Sequence, residues 1–293
     1  MTDNLPNLLV EWEVPPAVTC ALLLTALLYV RGWIRIRRTR AALFPLWRLA
    51  CFLGGIFALF VAVASPLDTF SESLLIMHMG QHFVFMSIAP PLVLLGAPMV
   101  PLLRGLPGWF VRTFLGPIFR TRSILEALRF LIRPHVAWAA MNLSFLLWHV
   151  PRAYEFALSS EFRHNLEHLC FFWTSVLFWW VVIEPWPTRR CNRGWILILY
   201  LLLADFVNTG ISAFLCFSGR LLYPSYGRIP RPFGLSALND QVAAGAFMWV
   251  MGSIVFLIPA VAITARLLSA THRTEAVKTK EYLLDEVSHP ARN

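Results

Sequence analysis

The sequence predicts an all-α fold: a polytopic membrane protein with a bundle of seven transmembrane helices, the N-terminus outside and the C-terminus inside. Hydrophobic residues make up 58% of the 293 residues and charged residues only 14%, with a mean hydropathy of +0.63. A soluble domain carries about 25% charged residues. The intervals between charged residues are long enough to cross a bilayer, so no independent soluble domain is predicted.

These intervals set the predicted spans, because a transmembrane helix needs about 20 predominantly apolar residues. The Pro90–Pro91 pair is expected to kink or end the third span, since proline lacks an amide donor. The segment from Pro107 to Arg133 mixes aromatic residues with arginines and is predicted to lie on the membrane surface. The predicted divisions are an external segment 1–13, a seven-helix domain 14–266 and a cytoplasmic tail 267–293, mobile or weakly helical. The spans run from Glu13 to Arg31, Arg48 to Asp68, Glu72 to Gly96, Arg133 to Arg152, His164 to Glu184, Gly194 to Gly219 and Asp240 to Arg266.

The distribution of basic residues gives the orientation. The net charge of +9 comes from short connections between apolar runs, which favours membrane orientation over nucleic-acid binding. The connections Arg31 to Arg48, Arg104 to Arg133 and Arg189 to Arg193, with Arg266 and the C-terminal tail, hold 20 of the 25 Lys and Arg residues. The positive-inside rule places them inside. No basic residue precedes the first apolar run, so no signal peptide is predicted. The five cysteines form no CxxC pair, so no disulfide or zinc framework is predicted.

Five of the eight histidines fall on the predicted outer side at a similar depth. His78 with His82, and His164 with His168, are i, i+4 pairs that project from one helix face. An imidazole inside a membrane is costly and usually has a function. One such side chain alone would be interpreted as a contact between helices, but five together favour a metal or cofactor site. The predicted metal ligands are His78, His82, His149, His164 and His168.

The neighbours of these histidines favour copper, with Cu(I) the expected form. Thioether sulfur suits copper better than harder ions, although any one methionine is typical of core packing. The methionines concerned are Met77, Met79 and Met86. Three polar neighbours are candidates to orient the imidazoles: Gln81, Asn165 and Glu167. The carboxylate of Glu167 is equally consistent with an interfacial side chain.

Two further carboxylates lie in or near the spans. Asp205 is near the middle of the sixth span, where an ionised carboxylate is expensive, so it is expected to be protonated or paired with Asn208 or another polar group. A relay of protons or ions and a structural hydrogen bond are both open interpretations. Asp240 is expected to cap its own helix at the start of the seventh span.

Several motifs resemble the multi-pass CtaG family of cytochrome c oxidase assembly factors, of the caa type. They are HMGQH with APPLVLLGAP (His78 to Pro98), LWHVPRAYEFAL (Leu147 to Leu158), HNLEH with FFWTSVLFWW (His164 to Trp180), LLYPSY (Leu221 to Tyr226) and DQVAAGAFMW (Asp240 to Trp249). The resemblance covers about residues 45 to 266. It implies a bacterial plasma-membrane protein that helps to make active haem-copper oxidases, with oxidase subunits as partners and a supposed role in copper delivery. A periplasmic copper chaperone is a further candidate partner, and the same five histidines are carried over.

Two other functions remain open from the residues alone. A b-type cytochrome would use histidines on facing helices as haem ligands, and a visible absorption band would reveal it. A copper or proton-coupled transporter would need a polar path from the histidines past Asp205 to the inside. No nucleophile, hydrolytic triad or phosphate-binding loop is found in the sequence, so the protein is predicted not to be an enzyme.

Overall fold

The computed structural model describes residue 12 and residues 14–186, 194–229 and 232–288, with side chains of the last helix as far as Ser269. Every regular element in those ranges is helical. Of the predicted external segment 1–13, only Trp12 is described. The predicted inner loop Arg189 to Arg193 lies outside the described residues.

The main helices are labelled here in chain order. They are α1 (Pro16–Arg40), α2 (Leu46–Ala64), α3 (Leu75–Leu95), α4 (Met99–Gly105), α5 (Arg122–Leu131), α6 (Pro134–His149), α7 (Pro151–Leu158), α8 (Glu161–Ile183), α9 (Gly194–Phe217) and α10 (Ala237–Ser288). Short helical segments join them: Ala41–Leu43, Pro66–Ser71, Gly108–Phe110, Val111–Leu115, Gly116–Arg120, Ser225–Arg228 and Pro232–Gly234.

The helices account for a multi-pass membrane protein. Within the described ranges α1, α2, α8, α9 and α10 are each long and apolar enough to cross a membrane. Two bent pairs bring the number of spans to as many as seven: α3 with α4, bent by 70°, and α5 with α6, bent by 67°. The predicted all-helical, polytopic fold is therefore confirmed, while the side on which each terminus lies stays a prediction.

The third span continues through the Pro90–Pro91 pair instead of ending there. A π-helical turn, Val84–Ile88, precedes the prolines, and the amide of Ala89 donates to the first carbonyl of that turn, five residues back. This wider turn accommodates the missing proline donors. The helix ends at Leu95, and the bend follows where Ala97 has a φ of +49°.

The seventh span begins at Ala237 and its helix runs past the predicted end at Arg266 to Ser288. The chain between Arg266 and Ser288 contains no glycine or proline that would break a helix. The charge at Arg266 thus marks where the apolar stretch ends and not where the helix ends. The tail predicted to be mobile or weakly helical is helical as far as Ser288.

Close contacts join α9 to α10, and α1 to the end of α3. A Cβ atom on Gly245 of α10 would lie 2.9 Å from the carbonyl oxygen of Ser212 and from Sγ of Cys216 on α9. Small residues of this kind let membrane helices approach closely. At the opposite end of α3, the Tyr29 hydroxyl of α1 donates to the carbonyl of Gly96 at 2.7 Å. The end of α3 that follows the prolines is therefore fixed by α1.

Candidate metal centre

The five predicted histidines come from three helices and meet at one end of the bundle. His78 and His82 lie on successive turns of α3, and His164 and His168 on successive turns of α8, while His149 is the last residue of α6. Four of them are at most 8% exposed, and His164 is half-buried. We call these five side chains the histidine cluster and this end of the bundle the histidine end.

The imidazole rings of the cluster are in mutual contact. Ring centroids are 4.3 Å apart for His78 and His82, 4.2 Å for His164 and His168, and 5.0 Å for His78 and His164. His82 lies 5.5 Å from His168 and 6.1 Å from His149. One set of nitrogens, from His78, His82 and His168, lies within 4.8 Å of one another. Bonds of about 2 Å to one ion put ligand atoms at most about 4 Å apart, so small side-chain rotations would suffice.

The cluster is distinguished by polar atoms that have no hydrogen-bond partner among the described residues. Buried polar groups in proteins are satisfied in about 90% of cases or more, and here several fail together. A convergence of imidazole lone pairs without donors is the arrangement that a transition-metal cation would satisfy. The atoms are Nε2 of His78, His149, His164 and His168, and both Nδ1 and Nε2 of His82.

His149 shows which of its nitrogens is available. Its Nδ1 lies 2.8 Å from the carbonyl oxygen of Phe145, and a carbonyl can only accept. Nδ1 therefore carries the proton, and the lone pair of Nε2 is left for another partner. A backbone carbonyl fixing the tautomer in this way is common behind metal-binding histidines.

Glu167 lies against the cluster, whereas the other two predicted orienting residues do not. Its carboxylate is fully buried and Oε1 is 3.8 Å from Nε2 of His82, and neither oxygen has a hydrogen bond from the described residues. With His78 and His164 it forms a second set of ligand atoms within 4.8 Å. Gln81 instead donates to the Ala62 carbonyl at 2.7 Å, and Asn165 is exposed.

Aromatic side chains surround the imidazoles and limit the room around them. Phe85 lies 4.6 Å from His168 between ring centroids, and Phe171 lies 4.6 Å from His82. This close ring packing leaves no flat slot for a haem macrocycle between His82 and His168, which lie on the facing helices α3 and α8. The geometry therefore favours a single ion over haem.

Three tyrosines cover the cluster on its loop side. Tyr154 of α7 stacks on Tyr223 at 4.0 Å and lies 5.3 Å from His78. The Tyr223 hydroxyl donates to the carbonyl of His149 at 3.0 Å, and the Tyr226 hydroxyl donates to the carbonyl of Ser71 at 2.8 Å. Burial raises the pKa of Tyr154 and Tyr223, with the Glu167 carboxylate adding to the effect, so both phenols stay protonated.

Asp240 caps α3, which carries His78, and not its own helix as the sequence suggested. Its carboxylate oxygens accept from the amides of Leu75 at 2.7 Å and Ile76 at 3.1 Å. These are among the first amides of α3, which have no partner within that helix. The first turn of α10 is capped by the Ser236 hydroxyl, which accepts from the amide of Asn239 at 3.2 Å. The carboxylate of Asp240 thereby fixes the position of the cluster's first helix.

Gln241 holds the loop that carries the tyrosines. Its Oε1 accepts from the amide of Leu222 at 2.7 Å, and its Nε2 donates to the Ser218 hydroxyl at 2.9 Å and to the Arg220 carbonyl at 3.0 Å. The side chain is fully buried. Asp240 and Gln241, adjacent in sequence, thus position two separate parts of the site.

The cluster opens toward a chamber of about 470 Å³ at the histidine end. His78 and His164 lie on its inner wall, and the carboxylates of Glu72 and Glu161 line it together with Arg228. Of the predicted sulfur donors, Met79 and Met86 line a second cavity with His82, and Met77 is not among the residues that line it. The chamber thus borders two imidazoles of the cluster.

Asp205 has a partner on the neighbouring helix. The Ser253 hydroxyl of α10 donates to its Oδ1 at 2.8 Å, and Asn208 donates instead to the carbonyl of Met248 at 3.2 Å. A hydrogen bond between helices accounts for the carboxylate, as one of the sequence interpretations expected, with Ser253 in place of Asn208. It gives no support to transport.

Sequence reasoning identified the five histidines and Glu167 but missed the tyrosines and the function of the Asp240–Gln241 pair. Tyr154, Tyr223 and Tyr226 stand within the quoted motifs, each within three residues of a proline, yet no spacing rule links residues so far apart in the chain. Asp240 was noticed as a helix cap, but the helix that it caps is fixed only by tertiary packing.

The fold and the site define a class of polytopic helical membrane proteins with a buried histidine and carboxylate centre near one end of the bundle. The chain belongs to the cytochrome c oxidase caa3 assembly factor family, whose model matches residues 27–270.

Curated relatives come from mycobacteria. An uncharacterised protein of Mycobacterium leprae is 22% identical over 286 residues, which cover 92% of this chain and 41% of the relative. One of Mycobacterium bovis is 23% identical over 271 residues, covering 90% and 40%. The chain thus spans about two fifths of the length of the curated relatives it matches. No solved structure matches it.

Proposed function

We propose that the protein assists cytochrome c oxidase assembly in a bacterial plasma membrane by binding copper at the histidine cluster and passing it to an oxidase subunit. Family membership supports the oxidase as the target. One observation carries the copper: five converging imidazoles and a buried carboxylate, most of whose polar atoms lack hydrogen-bond partners in the described residues. In this proposal copper is the cargo, and the role is binding and transfer, not catalysis.

Ligand chemistry supports Cu(I) as the bound form. Imidazole suits several transition metals, and neighbouring thioether sulfur shifts the preference toward Cu(I). Met79 and Met86 line a cavity with His82, so sulfur lies next to the imidazoles. The aromatic side chains around the cluster restrict the approach of water and protect a reduced ion.

Overlapping ligand sets support transfer. The set of His78, His164 and Glu167 shares His78 with the deeper set of His78, His82 and His168. An ion that enters from the chamber can exchange ligands stepwise, because His78 remains bound while the others change. Glu72 and Glu161 on the chamber wall would attract a cation supplied by a periplasmic copper chaperone. The same route in reverse leads to an oxidase subunit.

Complementation in cells tests this proposal. A deletion strain would receive the wild type, the His78→Ala/His164→Ala variant, or His135→Ala, a control on the exposed side of α6 away from the cluster. We expect the double variant to reach wild-type membrane levels but to leave oxidase with less than a tenth of its copper and activity. His135→Ala should restore both. Full oxidase copper and activity with the double variant would contradict the proposal.

A further inference from the structure

Beneath the histidine cluster lies a cavity of about 50 Å³, bounded by residues of α3, α6, α9 and α10. A space of this size exceeds the roughly 10–15 Å³ that one water needs, and it suits an ion with its ligands drawn in. Four of the eight methionines in the chain line it: Met79, Met86, Met141 and Met248. Three of the four helices that bound the cavity thus contribute a thioether.

Methionine alone is typical of packing, but two imidazoles of the cluster line the same cavity. His82 and His149 are each 3% exposed, and their ring nitrogens include three without hydrogen-bond partners among the described residues. Buried nitrogen lone pairs and soft sulfur atoms on one small cavity form a donor set for a soft cation. Cu(I) is an ion that suits both thioether and imidazole ligands.

Depth separates this cavity from the mouth of the cluster. With a rise of about 1.5 Å per residue, His78 lies about 4 Å below Leu75 at the start of α3, His82 about 10 Å and Met86 about 16 Å. The donors change along this path from carboxylate and imidazole to imidazole and thioether. A Cu(I) ion moving inward along this path would meet increasingly soft ligands.

We propose that this cavity is a second Cu(I) site, with thioether ligands from Met79, Met86, Met141 and Met248, that shares His82 with the histidine cluster. The site rests on the proposed copper function. Asn208 supports it by donating to the carbonyl of Met248 at 3.2 Å, which fixes that turn of α10. Copper held here would be kept away from the chamber until a partner draws it back through His82.

X-ray absorption at the copper edge tests the site on the full chain, purified under reducing conditions and loaded with Cu(I) alone. We expect sulfur among the atoms bound to copper in the wild type. In the Met79→Leu/Met86→Leu/Met141→Leu/Met248→Leu variant, sulfur should disappear from the atoms bound to copper. About one copper per chain should be lost, while copper on nitrogen ligands remains. Met→Leu conserves volume and is well tolerated in cores. Met251→Leu, an exposed position on the same helix as Met248, is the control and should keep the sulfur.

Selenomethionine-labelled wild-type protein gives a measurement that needs no substitution: the selenium edge should show a copper neighbour. Copper bound by nitrogen alone, with no selenium–copper contact, would overturn the methionine site and leave the histidine proposal standing. A wild type that takes up no copper would overturn the proposed function and the methionine site with it.

Discussion

Two groups of buried polar side chains lie side by side at the histidine end and differ in one respect. Asp240 and Gln241 are fully buried, and their side chains make hydrogen bonds to α3 and to the loop before α10. The histidine cluster and Glu167 are also buried, yet most of their nitrogen and oxygen atoms have no hydrogen-bond partner among the described residues.

The difference separates structural polar groups from binding ones. A satisfied buried network stabilises a unique packing, whereas an unsatisfied one costs free energy unless something else completes it. The side chains of the first group, Asp240 and Gln241, hold α3 and the tyrosines in place. The side chains of the second group have lone pairs that converge on one point, which is expected of a site that binds a cation.

The largest effect should come from Asp240→Ala. The change leaves the buried amides of Leu75 and Ile76 without their carboxylate partner, and charge-assisted hydrogen bonds contribute about 1.5–3 kcal/mol each. We expect the free energy of unfolding, measured by denaturant titration in mixed micelles, to fall by about 3 kcal/mol or more. Asn239→Ala, at the exposed neighbouring position, should change it by less than about 0.5 kcal/mol. Equal stability of the two variants would break the comparison.

A matched pair of leucine substitutions compares the two groups directly. Gln241→Leu removes the partner of the Leu222 amide and should destabilise the metal-free protein by about 2 kcal/mol. His82→Leu removes nitrogens that have no hydrogen-bond partner among the described residues, so the metal-free protein should keep or gain stability. Thermal unfolding without Cu(I) measures the stability of each variant, and unfolding with Cu(I) measures the rise in Tm that copper causes. This rise should persist only in Gln241→Leu. A metal-free His82→Leu protein that loses as much stability as Gln241→Leu would show that the two groups do not differ.

Glu167→Gln keeps the shape of the side chain but replaces a carboxyl group whose Oε1 lies 3.8 Å from Nε2 of His82. Partners of metal-binding histidines contribute about 10–100-fold to affinity, so we expect Cu(I) binding to weaken about tenfold in a competition with a chelator. Glu126→Gln, at an exposed position of α5 away from the cluster, is the matched control. Equal affinities of the two variants would remove Glu167 from the site.

The smallest effect is expected from Tyr223→Phe. The change removes one hydroxyl that donates to the carbonyl of His149, and such a bond contributes about 0.5–1.5 kcal/mol. We expect thermal unfolding to report a loss within that range while Cu(I) stoichiometry stays the same. A loss of bound copper would mean that the tyrosine acts on the ion itself.

Much of the fold could be predicted from the sequence because a membrane span depends on the local composition of the chain. The intervals between charges located the spans, and Glu161–Ile183 begins only three residues before the predicted start at His164. The predicted span ends at Arg266, near the end of the apolar stretch, but the helix α10 continues to Ser288, because helix formation does not stop at a charge. Of the two outcomes predicted for the Pro90–Pro91 pair, the helix does not end there, because a π-helical turn accommodates the missing donors.

The site could be predicted only where helical spacing carried the information. The i, i+4 spacing set His78 beside His82 and His164 beside His168, and their shared depth suggested a cluster. The partners of Asp240 lie 164 and 165 residues away in the chain, and Met141 and Met248 reach the lower cavity from separate helices. Contacts of that kind depend on how the helices pack, which periodicity does not encode.

An anaerobic Cu(I) titration of the purified protein, with its visible spectrum, tests the central claim most directly. Wild type and His135→Ala should bind at least one Cu(I) per chain and show no haem Soret band. The His78→Ala/His82→Ala variant should bind it more than about 100-fold more weakly, since it loses ligands and not merely their partners. Unchanged copper binding in the double variant, or a Soret band in the wild type, would contradict the account.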